Sequence, residues 1–314
     1  MITRQRMSVM NHEDQQARSP ASLPAVSVIV PVFDDRERLE LCLRALIGQD
    51  YRGSIEIIVV DNGSTQDMTA VKAVFPKVRW LFEAKPGSYN ARNTGIAAAV
   101  GEILAFTDSD CVPELGWLSA GVAPLTEAPA PGFVGGRVDL FTTQQSGLSA
   151  AELFDLAVGF PQKRFVEEVH FAMTANMLTS AAVMRSVGGF HGGLKSGGDR
   201  EWGTRAWDHG FPGRYVDEAV VRHPTRSTPA EVLKRIRRVA GGERDRHPGW
   251  ARCLAFCARH LLPPRSAFRA ILEIDPAVAS PLAKFRAMAF AYGTRGALIR
   301  DRLRLQLGAE STRS

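Results

Sequence analysis

The sequence predicts an α/β fold: a mainly parallel sheet flanked by helices, with a helical appendage at its carboxyl end. Three observations carry that expectation. Short β-branched runs alternate with helical patterns at the spacing of βαβ crossovers. Acidic residues recur where those runs stop, and past Pro229 the composition turns basic and helical.

Val26 to Val30 is a continuous apolar run read as a strand halted by Pro31, and Arg36 to Ile47 follows with Leu39, Leu43, Leu46 and Ile47 at helical spacing. Ile55 to Val60 repeats the strand pattern and ends at Asp61-Asn62-Gly63-Ser64-Thr65, a turn whose small polar residues suit a helix cap. Val78 to Phe82 is a third strand, with a helix starting near Ser88. The fourth, Ile103 to Thr107, stops at Asp108 and Asp110, one small residue apart. In an open α/β sheet ligands bind beyond the carboxyl ends of the strands. Two carboxylates at such an end suit one hard divalent cation, which would clamp nucleotide phosphates.

Other nucleotide folds fit less well. The first turn reads Pro31-Val32-Phe33-Asp34-Asp35 in place of a Gly-x-Gly-x-x-Gly loop, and no Gly-x-x-x-x-Gly-Lys-Ser/Thr loop occurs. Acid at strand ends recurs instead, at Asp34, Asp61 and Asp108 with Asp110. Converging carboxylates repel one another unless a cation, a ribose or a base amide satisfies them.

The 314 residues are ample for a large α/β domain with an appendage. The formal charge of +6 is uneven: residues 230–314 hold 17 Lys/Arg against 7 Asp/Glu, and the remainder 22 against 26. A basic tail on a mildly acidic body suits an anionic partner, a membrane surface or nucleic acid. Four cysteines are too few for a disulfide framework and point to a reducing compartment. Residues 1–20 lack the apolar core of a signal peptide, and no run is long enough to span a bilayer. These features predict a cytoplasmic protein with a disordered segment over 1–23.

Val-Ser-Val-Ile-Val-Pro-Val-Phe, Val-Val-Asp-Asn-Gly-Ser-Thr, Ala-Arg-Asn-Thr-Gly-Ile (Ala91 to Ile96) and Phe-Thr-Asp-Ser-Asp stand in the order and spacing of family 2 glycosyltransferases. The chain resembles that family from about Val26 to Pro224. The resemblance implies a GT-A fold, with a domain over 24–228 divided into a nucleotide-binding half (24–130) and an acceptor half (131–228), and a basic helical region over 229–314. It also implies an inverting, metal-dependent transfer from a nucleotide-sugar, with a UDP-sugar expected, to a glycan or lipid-linked acceptor.

By that resemblance Pro31, Phe33, Asp61, Arg92 and Asp108 line the nucleotide-sugar, and Asp110 coordinates Mg²⁺ or Mn²⁺ on the diphosphate. Gly197-Gly198-Asp199-Arg200-Glu201-Trp202 is similar to the family's Glu-Asp-x-Asp/Glu-aromatic segment, whose aspartate is the general base, here Asp199. Gly198 stands where many relatives carry Glu. Asp also caps helices well, so Asp199 equally suits the start of a helix over Arg200 to Asp208. His223, ending a strand over Val220 to Pro224, matches a histidine that completes the metal shell in several relatives. Glu201, Trp202 and Asn176 are expected on the acceptor side.

Beyond Pro229, Glu231 to Ala240 carries Val232, Leu233, Ile236 and Val239 on one side, with basic residues mostly opposite. Ser280 to Leu307 repeats the theme with Phe285, Met288, Leu298 and Leu303. These helices are expected either to hold solvated basic faces or to lie on an anionic membrane surface, placing the enzyme on the inner face of the plasma membrane; no nucleic-acid partner is expected. A sugar nucleotidyltransferase and a non-catalytic glycan-assembly or binding module are the alternatives. The first normally carries a glycine-rich basic loop where this chain has Asp34-Asp35, and the second would bind nucleotide without turnover.

Overall fold

The computed structural model describes residues 23–142 and 147–309, the side chain of Arg246 apart. The segment expected to be disordered, 1–23, lies outside the described residues except for Leu23. The chain runs β1 (Val26–Val32), α1 (Arg36–Ile47), β2 (Ile55–Asp61), α2 (Thr69–Val74), β3 (Arg79–Phe82), α3 (Ser88–Ala98), β4 (Ile103–Phe106), β5 (Val112–Pro113) and α4 (Trp117–Val122). It continues through β6 (Phe133–Phe141), α5 (Ala150–Val158), α6 (Gln162–Glu168), β7 (Met177–Ser180), α7 (Ala181–Val187), α8 (Gly198–Asp208) and β8 (Gly213–Pro224). Four helices follow: α9 (Pro229–Arg246), α10 (Trp250–Leu261), α11 (Arg265–Glu273) and α12 (Pro281–Gln306).

The strands form one sheet in the order β3-β2-β1-β4-β7-β6-β8-β5. The first four are parallel, as expected of βαβ units. Beyond β4 the sheet is mixed: β7 runs antiparallel to β4 and β6, β8 is parallel to β6, and β5 is antiparallel to β8. Both faces are covered. Val28 and Val30 enter one core with Leu39, Leu43 and Trp117, while Ile29 enters the other with Phe106, Met177 and Trp202. Burial on both sides is why these strands read as unbroken apolar runs rather than alternating ones.

Pro31 does not end β1, which continues to Val32 with Pro31 opposite Val60. The reason is parity. The Val32 carbonyl accepts from Asn62 beside β2, and the Ile29 carbonyl accepts from Thr107 beyond β4. Alternation therefore turns Pro31 toward β4, whose pairing has already stopped at Ile29 and Phe106. The missing N–H deprives no neighbour.

The basic helices are not a free surface layer. On α9, Val232 and Ile236 are buried and pack with Ala151 of α5 and Ala297 of α12. Leu153 of α5 joins Ile271 of α11 and Ala287 and Ala291 of α12 in an adjoining cluster. α12 thus forms the spine of the appendage, and α5 roots it in the sheet domain. A capping box, Thr228 with Glu231, starts α9. Leu305, in the Ser280 to Leu307 stretch, is buried as well.

Candidate active site

β1, β2 and β4 all point their carboxyl ends to one edge, and the acids expected there divide into those already bonded and those left open. Asp34 sits in the left-handed region at φ 49° and accepts from the N–H groups of Thr65 (2.6 Å) and Gln66 (3.0 Å). These donors, Gln66 first, hold its carboxyl below the usual range. It fastens the β1 turn to the β2 turn. Asp61 accepts from Ser64 N–H at 2.9 Å in a tight Asx-type turn. Phe33 is exposed and Pro31 buried.

The Asp108–Asp110 turn lies at the centre. Arg92, buried on α3, pairs with Asp108 and lies 5.7 Å from the ring centroid of Tyr89. Its Nε is buried without a partner. Asp110 faces His223 at the end of β8, with Oδ2 to Nε2 at 3.6 Å. The other His223 nitrogen, Nδ1, lies 2.6 Å from the Pro224 carbonyl, an acceptor only, so Nδ1 carries the proton. The lone pair of Nε2 then faces the Asp110 carboxylate, two donors placed to share one cation.

Cys111 completes a cluster with Asp110 and His223 whose ligand atoms lie within 4.8 Å of one another. Burial, foremost, and the charges of Asp110 and Asp108 push its thiol well up, so it stays protonated and donates toward Asp110 Oδ1 at 3.7 Å. What remains is one carboxylate oxygen and one imidazole nitrogen, a hard donor set suited to Mg²⁺ or Mn²⁺ with positions left for phosphate oxygens. The residues fit such a cation.

Asp199 stands on the first turn of α8 but does not cap it; Gly197 holds that position, in the left-handed region at φ 77°. The Asp199 carboxylate accepts from Arg200 N–H at 2.9 Å and from the Tyr89 hydroxyl at 3.4 Å. Burial, foremost, raises its pKa, against the Arg200 N–H and the charges of Arg92 and Arg238. Gly198 is required by Tyr89, because a Cβ there would lie 2.7 Å from the Tyr89 ring. The tyrosine thus fills the space beside the base candidate. A continuous path, Asp199 to Tyr89 to Arg92 to Asp108, joins α8 to the β4 edge.

Two expected acceptor residues never reach that edge. Asn176 is fully buried: its Oδ1 accepts from Trp117 Nε1 at 2.8 Å, and its Nδ2 donates to the carbonyls of Arg137 and Ala219, each at 2.8 Å. Trp202 is fully buried, donates to the Gly188 carbonyl at 2.9 Å, and packs on Phe133 and Phe190. Both tie elements together, because a half-polar side chain at a strand junction serves orphaned backbone groups first. Glu201 is partly exposed but pairs with Arg205 at 2.6 Å.

The sequence reading missed Asp35, whose carboxylate accepts from Ser109 Oγ at 3.2 Å and Arg38 Nε at 2.7 Å. Burial, foremost, raises its pKa, with Asp110 adding to the rise. Its signal was visible, a second acid after the first strand. With Asp34 it lines a 340 Å³ depression that also includes Gln66 and Asp67. A larger depression of 440 Å³ lies at the opposite end of β4, between Glu102, Ile103 and Arg185, away from the Asp108–Asp110 edge.

Sheet order, carboxyl-edge acids and the α8 aspartate together define a GT-A glycosyltransferase. The model of glycosyl transferase family 2 matches residues 27–183, half of the chain. The chain belongs to that family, whose members are enzymes using nucleotide-sugar donors. Among curated relatives it is 37% identical over 230 residues to glycosyltransferase AglE of Haloferax volcanii, covering 71% of this chain and 74% of that protein. It is 25% identical to the pre-mycofactocin glycosyltransferase of Mycobacterium tuberculosis, over 67% of this chain and 45% of that one. Among solved structures it is similar in fold to the mannosyltransferase PcManGT from Pyrobaculum calidifontis in complex with GDP-Man and Mn²⁺. That likeness has a TM-score of 0.61 at 20% identity and covers 93% of this chain and 89% of that one. GalNAc-T7 with UDP, GalNAc and Mn²⁺ gives 0.52 at 17% identity, over 69% and 48%.

Proposed function

We propose that the chain transfers a sugar from a nucleotide-sugar, with UDP as the expected nucleotide, to a hydroxyl of a glycan or lipid-linked acceptor, with inversion and with a divalent cation bound. The observation that carries this reading is the path from Asp199 through Tyr89 and Arg92 to Asp108, which joins a half-buried carboxylate to the Asp110–His223 pair at one sheet edge. Asp110 and His223 hold the cation. When bound, it offsets the charge that builds on the departing diphosphate.

The remaining roles belong to the chain itself. Asp61 and the exposed Phe33 border the nucleoside, and Arg92 holds Asp108 toward the ribose or sugar. Asp199 accepts the acceptor's proton as its hydroxyl oxygen attacks the anomeric carbon. Tyr89 orients that carboxylate, and the partial burial of Asp199 raises its basicity. A sugar nucleotidyltransferase would need basic residues at the β1 turn, where Asp34 and Asp35 stand, and a binding module has no use for a half-buried, basic Asp199. A thermal-shift panel of UDP-, GDP- and dTDP-sugars with and without Mn²⁺ tests the reading: a cation-dependent shift with one donor supports it, and no shift with any of them removes it.

The acceptor's location follows from a second surface. α10 exposes Trp250, Leu254 and Leu261, and α12 exposes Leu282, Phe285 and Tyr292. The two stripes meet where Tyr292 Oη donates to the Leu261 carbonyl at 3.2 Å. Arg265 and Arg286 stand near them in sequence, both exposed and without a carboxylate partner among the described residues, whereas Arg252 and Arg259 take the opposite face of α10. Exposed aromatic and leucine side chains on a basic appendage complement an anionic lipid surface. No helix among the described residues is long and apolar enough to cross a membrane. The contact is therefore assigned to α10 and α12 lying on the surface.

A further inference from the structure

The periodicity of α9 puts Glu231, Arg235, Arg238 and Gly242 on one face, distinct from the Val232–Ile236 face buried against α5 and α12. Two points of this stripe touch the sheet domain. Arg235 Nη1 donates to Asp155 at 3.1 Å and its guanidinium lies 5.9 Å from the centroid of Phe160, whose ring is 4.7 Å from that of His223. Seven residues on, Gly242 lies against the segment before α8, where an added Cβ would meet the Ser196 carbonyl oxygen at 2.5 Å. α9 therefore crosses the carboxyl edge from the His223 side to the Asp199 side. Arg238 lies between those contacts.

Arg238 differs from its neighbours in forming no ion pair among the described residues. Arg235 shares Asp155 with Arg226, and Arg237 pairs with Asp301 at 3.7 Å. Arg238 is half-buried and, among the described residues, has no ion pair and donates no hydrogen bond. A half-buried guanidinium at this edge with its donors uncommitted is free to offer its planar fork to an oxyanion. The carboxylates nearby do not take its hydrogen bonds: Asp155 is already shared, and Asp199 accepts from Arg200 N–H and Tyr89.

We propose that Arg238 is a phosphate-binding residue, gripping a phosphoryl oxygen of the molecule that occupies the edge between His223 and Asp199. The inference rests on the transferase reading above and extends it to the appended helix, which would then complete the site. Two sources share this chemistry: the diphosphate of the nucleotide donor, and a phosphate carried by the acceptor close to its reacting end. The charge of Arg238 also bears on Asp199, placing the group near the base candidate.

The test compares Arg238→Ala, Arg238→Lys and, as a control of equal charge on the exposed face of the same helix, Lys234→Ala. Calorimetry with UDP and with GDP in the presence of Mn²⁺ reports the donor source, and a thermal-shift titration with a short isoprenyl phosphate, against its alcohol, reports the acceptor source. Arg238→Ala is expected to weaken one probe by about 10- to 100-fold, with partial recovery in Arg238→Lys and no change in Lys234→Ala. Because the Arg238 side chain forms no ion pair or hydrogen bond among the described residues, the melting temperature without ligand should change little. Wild-type affinity of Arg238→Ala for every probe, or an equal loss in Lys234→Ala, overturns the proposal. Failure of the wild type to bind UDP or GDP removes the donor reading instead, and the isoprenyl phosphate arm, which needs no nucleotide, still decides Arg238; a wild type that binds no probe overturns both.

Discussion

Asp199 meets two opposed demands, since the burial that raises its basicity also makes its ionised form unfavourable in the fold. A carboxyl whose folded pKa lies above its unfolded value stabilises the protein below the unfolded pKa and loses that contribution as pH rises through the folded one. Asp199→Asn is therefore expected to raise the melting temperature at neutral pH, with the gain shrinking as pH falls toward the ordinary carboxyl value of 3.8. The same substitution should lower transfer by about 10²- to 10⁴-fold with nucleotide affinity unchanged, because a general base acts on the acceptor in the transition state. Mass-spectrometric product assay beside melting curves checks both; near wild-type transfer would move the role to Glu201. In the wild type, the acid limb of the rate profile should lie above the usual carboxylate range.

Asp110 and His223 make the other residue-scale prediction. On the proposed cation site, Asp110→Ala removes the carboxylate oxygen assigned to the cation and His223→Ala the nitrogen facing it, so both should lose Mn²⁺-dependent UDP binding in calorimetry. Wild-type affinity in Asp110→Ala would end its assignment as ligand. Asp61→Ala, which breaks the Ser64 turn, should weaken nucleotide binding with or without the cation.

Among the elements, β6, β8 and α4 are joined through one amide, that of Asn176, which serves the Trp117 indole and the carbonyls of Arg137 and Ala219. Asn176→Ala would leave three buried polar groups without partners, at about 1 to 3 kcal/mol each. Urea unfolding should show a loss of at least about 3 kcal/mol with the denaturant slope unchanged. α3 gives a steric counterpart. A Cβ on Gly95 would sit 2.5 Å from Ile29 Cγ2, so Gly95→Ala should force α3 off β1 and displace Arg92 with it, at about 1 to 3 kcal/mol.

At the scale of the whole molecule, the sheet domain and the appendage share α5, so the basic helices divide their labour: α9 turns toward the carboxyl edge, while α10 and α12 present the exposed apolar stripes. A double substitution, Trp250→Ala with Phe285→Ala, should reduce co-sedimentation with phosphatidylglycerol vesicles by about tenfold or more and leave UDP affinity intact. Binding to neutral vesicles should be weak for either protein, since the basic charge of the appendage gains only from an anionic surface. Equal co-sedimentation of both proteins would remove the membrane assignment.

The α/β class and the parallel half of the sheet were legible in the sequence because they rest on local pattern: apolar runs of strand length, helical spacing, and acids where each run stops. The motif spacing also supplied the family. Tertiary packing decided what those residues are free to do. Asp34 and Asp35 are adjacent, yet one is locked onto the β2 turn and the other lies beside the Asp108–Asp110 turn. Asn176 and Trp202 read as polar and aromatic candidates, but buried backbone carbonyls on distant strands and loops claimed their hydrogen bonds. Periodicity gave α9 an apolar and a basic side; which basic residue is left out of an ion pair depends on Asp155 and Asp301, at sequence separations of 80 and 64. Strand and helix are chosen by neighbours along the chain, whereas a charge or an amide is satisfied by whatever the fold brings within about 3 Å of it, and only the folded chain determines that.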